Sequence, residues 1–260
     1  MIEFESNGVT VEKNGHVAVV TFSRPPQNYF DMGLIDGLAD ALEEVDRQDD
    51  LRAVLLRSKG KVFCAGASFS GREGSGEGEL ADPGDLYRHG VRLFRTKKPI
   101  IAAVQGAAIG GGLGLSMIAD FRVAAPEARF AGNFVKIGIH PGFGLTYNLP
   151  RIVGPQIAAM LLYTGRRIDG ATAERIGLAD ELAPLNQLFD HALALATEIA
   201  ENAPLAVEAT RATLRAGLAD KIAEQTELEC ARQVSLFKSE DFKEGVKAVA
   251  ERRRGNWTKS

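Results

Sequence analysis

Cysteine is scarce in this chain. Its 260 residues contain only Cys64 and Cys230, too few for a disulfide framework or a thiolate metal cluster, so no metal is expected and both thiols read as free in a reducing compartment. Charge of one sign is lacking as well. Thirty-one Lys and Arg against 34 Asp and Glu leave a net charge of −3, which gives no broad basic face for nucleic acid or anionic lipid. No apolar run approaches the roughly 20 residues that span a bilayer, so no membrane partner is expected. The opening Met1-Ile-Glu-Phe-Glu has neither a basic n-region nor an apolar h-region, and a cytoplasmic location is the expectation. What remains is an ordinary composition, 45% hydrophobic and 25% charged, in a chain long enough for a large core and at the upper end of one domain.

Apolar periodicity organises the chain. Val9–Val11 and His16–Phe22 flank Asn14-Gly15, a type I′ hairpin signal. Leu34, Ile35, Leu38, Ala39, Leu42 and Val45 recur at helical spacing. Leu51–Arg57, Ile100–Val104 and Phe121–Ala124 are buried-strand runs. Their alternation with helical stretches predicts crossover units and a parallel sheet, which binds ligands at the carboxyl ends of its strands. From Gln187 the pattern is helical almost to the end, with breaks at Asn202-Ala-Pro204 and Ser239-Glu-Asp241. Residues 70–85 are a Gly-rich, acidic stretch that fits either a lid or a plain surface loop.

Two glycine turns stand at such strand ends. Ile100–Val104 breaks at Gly106 and leads into Gly110-Gly111-Gly112-Leu113-Gly114, which opens an apolar helical segment. Upstream, Phe63-Cys64-Ala65-Gly66-Ala67 closes another strand-like run. Glycines let the backbone approach a bound group, and the first turn of a helix presents unpaired N–H groups. Two such turns can supply two backbone donors to one developing oxyanion. Close helix–strand packing is the competing reading of any one glycine cluster.

Together these segments resemble the crotonase (enoyl-CoA hydratase/isomerase) superfamily. Arg24-Pro-Pro-Gln-Asn28 is similar to its early R-P-x-x-N turn. Thr164-Gly-Arg-Arg-Ile-Asp-Gly-Ala171 with Arg175-Ile-Gly-Leu178, and Phe242-Lys-Glu-Gly245 with Ala248 and Arg252–Arg254, are similar to its later segments. The resemblance covers about residues 9–257. It implies an α/β fold, a crotonase-like spiral of β-β-α units over 1–200, followed by a C-terminal helical trimerisation region over 201–260. It implies an acyl-CoA thioester as the partner, with CoA part of the substrate and no separate cofactor. Self-association as a homotrimer or hexamer follows, with Glu227–Arg254 near the interface. The oxyanion donors would be the amides of Ala67 and Gly111, within walls formed by Gly66 and Gly110. The carbonyl of Ala65 would meet the adenine of CoA, and Arg24 its phosphates.

The acid/base pair of a typical hydratase has no counterpart. Its first glutamate falls at Gly114 and its second, seven residues before Pro141, at Phe134. Both are expected to leave an apolar pocket wall. The stretch Gly110–Ser116, with Lys136-Ile-Gly-Ile139 and Leu149–Gly154, resembles the chlorobenzoyl-CoA dehalogenases, whose nucleophilic aspartate falls at Gly142. Of the four histidines, His140 in Gly138-Ile-His-Pro-Gly-Phe-Gly144 is the one expected at the pocket rim, as a general base or water-orienting group; a structural role is its alternative. Tyr87 and Tyr147 read as packing before hydrogen bonding, Asp120 as structural pairing, and Cys64 as facing away from the hole. Two functions remain open: a lyase, isomerase or thioester hydrolase working through the two amides, or a non-catalytic acyl-CoA-binding protein that kept the pocket.

Overall fold

The computed structural model describes residues 4–68 and 83–260; most of the Gly-rich stretch 70–85, with Glu73, Glu77, Glu79 and Asp82, lies outside them. β1 (Phe4–Ser6) and β2 (Val9–Asn14) are antiparallel. They are joined by Asn7-Gly8, both at positive φ (52° and 78°), as a type I′ turn demands. β3 (Val17–Phe22) returns along β2 with Asn14 opposite Val17. The second loop is therefore Gly15-His16, one residue later than expected, and of its two residues Gly15 takes positive φ (57°). The Asn-Gly signal belongs to the hairpin before it.

From β3 onward the large sheet is parallel. Its order is β1-β2-β3-β4-β5-β7-β10, with β4 at Ala53–Ser58, β5 at Ile100–Val104, β7 at Phe121–Ala124 and β10 at Glu181–Leu182. A small sheet joins β6 (Ala107–Ile109), β8 (Arg129–Ala131) and β9 (Ile168–Asp169). Helix α1 spans Met32–Asp46, α2 Pro83–Gly90 and α3 Gly111–Ser116. The spiral repeats a strand in the large sheet, a strand in the small sheet and a helix: β5-β6-α3 is one such turn. A bridge from Cys64 to Ala108 places the chain after β4 beside the small sheet too.

Alternate side chains of the parallel strands fill two cores. Ala18, Val20, Val54, Leu56, Ala102 and Val104 face α1, whose Leu34, Ile35, Leu38 and Leu42 are all buried. Val19, Leu55, Ile101 and Val123 face α7 (Leu188–Ala200) through Ala192 and Ala196. Strands covered on both faces explain why the sequence shows continuous apolar runs instead of alternation. Helices α4 (Leu145–Val153), α5 (Pro155–Thr164) and α6 (Gly170–Arg175) follow the small-sheet strand β8 in the chain, with α6 packed on β8 and β9. The chain closes with α8 (Pro204–Leu214), α9 (Leu218–Leu236) and α10 (Glu240–Ala250). Both expected breaks are present, and a third falls at Arg215–Gly217, where Gly217 has φ 72°. Leu218, Ile222 and Cys230 of α9 share the main core with the spiral.

Candidate active site

The first glycine turn is held by a buried asparagine. Asn28 donates from Nδ2 to the carbonyls of Lys59 (3.0 Å) and Val62 (2.8 Å), and its Oδ1 accepts from the Arg24 amide at 2.7 Å. The R-P-P-Q-N segment thus clamps the chain leaving β4. Cys64 then bonds to both Ala107 and Ile109, the Ala65 amide donates to Gln27, and the Gly66 carbonyl accepts from Phe30. Gly66 turns the chain at φ 80°. The Ala67 amide is left without an acceptor among the described residues.

The second turn comes at β6 to α3. The Gly110 amide donates to Ala131 at 2.8 Å, and Gly110 adopts φ 55°, ψ −117°, a backbone open only to glycine at low cost. Gly111 is the first residue of α3, so its N–H has no intrahelical partner, and it finds none among the described residues. Gly112 has a different reason. A Cβ there would stand 2.1 Å from the Cys64 carbonyl oxygen, so this glycine lets α3 rest on the neighbouring strand, not a thioester approach.

Both turns open onto one cavity of about 540 Å³. Ala65, Gly66, Ala67, Gly110, Gly111 and Phe134, all named from the sequence, line it. Three expected residues do not. Gly114 faces inward to the core, where a Cβ would meet the ring of Phe143 at 2.5 Å, a residue itself at φ 63°. His140 is half-buried behind Ile139, which takes the cavity position. Its Nδ1–H donates to the Pro141 carbonyl at 2.7 Å, leaving Nε2 as the basic atom; the imidazole expected at the rim is absent because alternation along the loop turns it away. Arg24 lines a separate shallow depression with Tyr29 and Asp31, its guanidinium paired to Asp31.

Apolar and aromatic side chains make up most of the rest: Phe30, Met32, Leu86, Tyr87, Ile109, Ile137, Ile139, Phe237 and Val249. Only Tyr87 of these carried any expectation from the sequence. Phe237 arrives from just past the end of α9 and Val249 from α10, more than a hundred residues from the glycine turns, and no local pattern marks them. The titratable lining groups among the described residues are Tyr29, Asp31, Asp85 and Tyr87, and Ser68 and Asn133 are the other polar side chains. Asp31 caps α1 through the Leu34 amide, and Asp85 pairs with Arg88. Burial pushes the Tyr87 phenol well up from its ordinary range, its hydroxyl meeting the Gln233 amide. A Cβ at Gly142 would run into the Tyr87 ring at 2.5 Å, so the absence of a side chain there lets Tyr87 pack against this loop. Burial also pushes the Cys64 thiol to about 12, and it is no nucleophile at neutral pH. Asp120 pairs with Arg211 and Arg215 away from the cavity, as a structural group.

A family profile described as enoyl-CoA hydratase/isomerase matches residues 12–260. The chain is 35% identical over 256 residues to a short-chain-enoyl-CoA hydratase of Clostridium acetobutylicum, covering 96% of this chain and 97% of that one. A mitochondrial enoyl-CoA hydratase of Pongo abelii is 33% identical, with 94% and 84% covered. Among solved structures, a carnitinyl-CoA hydratase from Mycobacterium avium superposes with a TM-score of 0.85 at 32% identity, over 98% of this chain and all of that one.

Proposed function

This chain belongs to the enoyl-CoA hydratase/isomerase family, and from that premise we propose that it acts on an acyl-CoA thioester through the amides of Ala67 and Gly111. The observation that carries the reading is that these two N–H groups, from turns 44 residues apart in sequence, both border one cavity and have no acceptor among the described residues. A thioester carbonyl accepting from both is polarised. Loss of an α-proton then gives an enolate, or attack on the carbonyl gives a tetrahedral adduct, and the charge forms on the oxygen already held. One such donor contributes on the order of 3 kcal/mol to the transition state.

Hydration needs groups that position water and move its proton. Gly114 and Phe134 offer none, which supports isomerisation or thioester hydrolysis over the hydration named in the relatives. His140 would act through Nε2 once substrate turns its ring toward the cavity. An apolar acyl group suits the Phe30, Met32, Ile109, Ile137 and Ile139 side chains that line the cavity. Arg24 would meet CoA phosphates from the neighbouring depression. Among the described residues the lining carboxylates Asp31 and Asp85 are both paired with arginines, which favours one second reading, an acyl-CoA-binding protein without turnover.

The test is a panel of crotonyl-, 3-enoyl- and aromatic acyl-CoA esters, followed for product and for free CoA. Turnover that disappears in His140→Ala supports the enzyme. Tight binding with no turnover on any ester supports the binder. Self-association as a homotrimer or hexamer is proposed alongside, supported by Leu205 and Leu214 of α8, 81% and 75% exposed.

A further inference from the structure

Glu229 is fully buried, yet the site described above makes no use of it. It lies on α9, and its Oε2 accepts from the Gly144 amide at 2.6 Å. Its Oε1 accepts from the Thr146 amide at 2.8 Å and from Thr146 Oγ1 at 2.5 Å. One turn before it, Gln225 donates to Thr146 Oγ1 at 2.7 Å. One turn after it, Gln233 donates to the His140 carbonyl at 2.6 Å and meets Tyr87. Residues 225, 229 and 233 are spaced by four, so they form one stripe of α9. That stripe grips residues 140–146, which run from just after the cavity-lining Ile139 into the first turn of α4. The same segment carries Phe143, whose ring packs 4.9 Å from that of Phe30 and 6.2 Å from that of Tyr87, both in the cavity wall.

We propose that Glu229, assisted by Gln225 and Gln233, is a positioning residue that sets the acyl-side wall of the cavity, and that its ionisation couples acyl-group binding to pH. The inference rests on the acyl-CoA reading of the cavity. A carboxylate that collects three donors is the arrangement that favours the charged form, whereas a protonated carboxyl gives up acceptor capacity and loosens its hold on Gly144. Among the described residues no cation offsets the charge. The groups that face it are Gly144 and Thr146 at the start of α4, Tyr87 from α2, and Cys230 beside it on α9. The charged pairs Arg88–Glu227 and Arg95–Asp220 lie exposed along the same seam. Burial pushes the Glu229 carboxyl to about 7, so its occupancy by a proton changes across the neutral range.

Free CoA lacks the acyl group and serves as the internal control. The experiment measures, on the full chain by calorimetry across the neutral range, the affinity for CoA and for a thioether ketone analogue of butyryl-CoA. The wild type should prefer the analogue, and the preference should fall as pH drops through the Glu229 range. Glu229→Gln should cut that preference roughly tenfold, flatten its pH dependence and leave CoA affinity unchanged. Thr146→Val deletes a hydrogen bond that favours the carboxylate, so it should move the midpoint to higher pH, a response that lost packing alone would not produce. If Glu229→Gln does not fold, Thr146→Val and Gln233→Leu carry the measurement. A Glu229→Gln protein with the wild-type preference and pH profile, or an unmoved midpoint in Thr146→Val, overturns the inference. A wild type that binds the analogue no better than CoA instead overturns the acyl-CoA reading, and this inference with it.

Discussion

Gly114 and Phe143 occupy each other's space. The ring carbon Cδ1 of Phe143 lies 2.5 Å from where a Gly114 Cβ would be, so Gly114→Ala should destabilise by about 1–3 kcal/mol through overpacking. Adding Phe143→Ala should recover part of that loss, and a double-mutant cycle from denaturant midpoints reads the coupling; additive effects would show that the two do not meet. Glu229 gives a second test at this scale. Its folded carboxyl is raised from the ordinary 4.5 to about 7, so its contribution to stability is full at acid pH and is lost as pH rises through about 7. Over that window the wild type should lose about 3 kcal/mol that Glu229→Gln does not. Stability and acyl preference therefore run in opposite directions with pH: the charge that grips the loop best is also the one that burial penalises.

Helix α3 sits on the chain after β4 because Gly112 has no side chain. Gly112→Ala brings a Cβ against the Cys64 carbonyl, which is backbone and cannot rotate away, and should cost on the order of 3 kcal/mol. The shift would also pull Gly111 from Ala67, so the variant that still folds should lose acyl-CoA binding before CoA binding. The attachment of α8 depends on charge instead. Asp120 accepts from Arg211 and Arg215 and also from the Ile100 amide at the head of β5. Asp120→Ala leaves two largely buried guanidinium groups unpaired and should lower stability by roughly 3 kcal/mol, visible as an earlier thermal transition.

The whole molecule brings the last elements of the chain back to the first. Phe237, just after α9, and Val249 of α10 close a cavity opened by Phe30, Ala67 and Gly111, so truncation before α10 should weaken acyl-CoA binding more than a surface deletion of equal length. Light scattering on the purified chain should report three or six times the monomer mass; a monomer at micromolar concentration would remove the role proposed for the exposed α8 leucines.

Local chemistry was legible wherever the physical cause is local. The apolar runs of β5 and β7, the helical spacing of α1 and the two glycine turns are each determined by steric and periodic rules within a few residues, and all appear where the sequence puts them. The Asn-Gly rule found the right structure at the wrong pair, because register with β2 decides which residues form the loop. Which way Gly114 and His140 face was not legible. Gly114 is turned from the cavity by Phe143, and His140 by the alternation of a loop held from α9, 93 residues away. The sequence alone determined the family resemblance and where the two glycine turns fall. Only the tertiary structure decided that Ile139, not His140, lines the cavity, and that a buried Glu229 holds Gly144 and Thr146 further along that loop, because contacts between distant segments leave no periodic trace in either one.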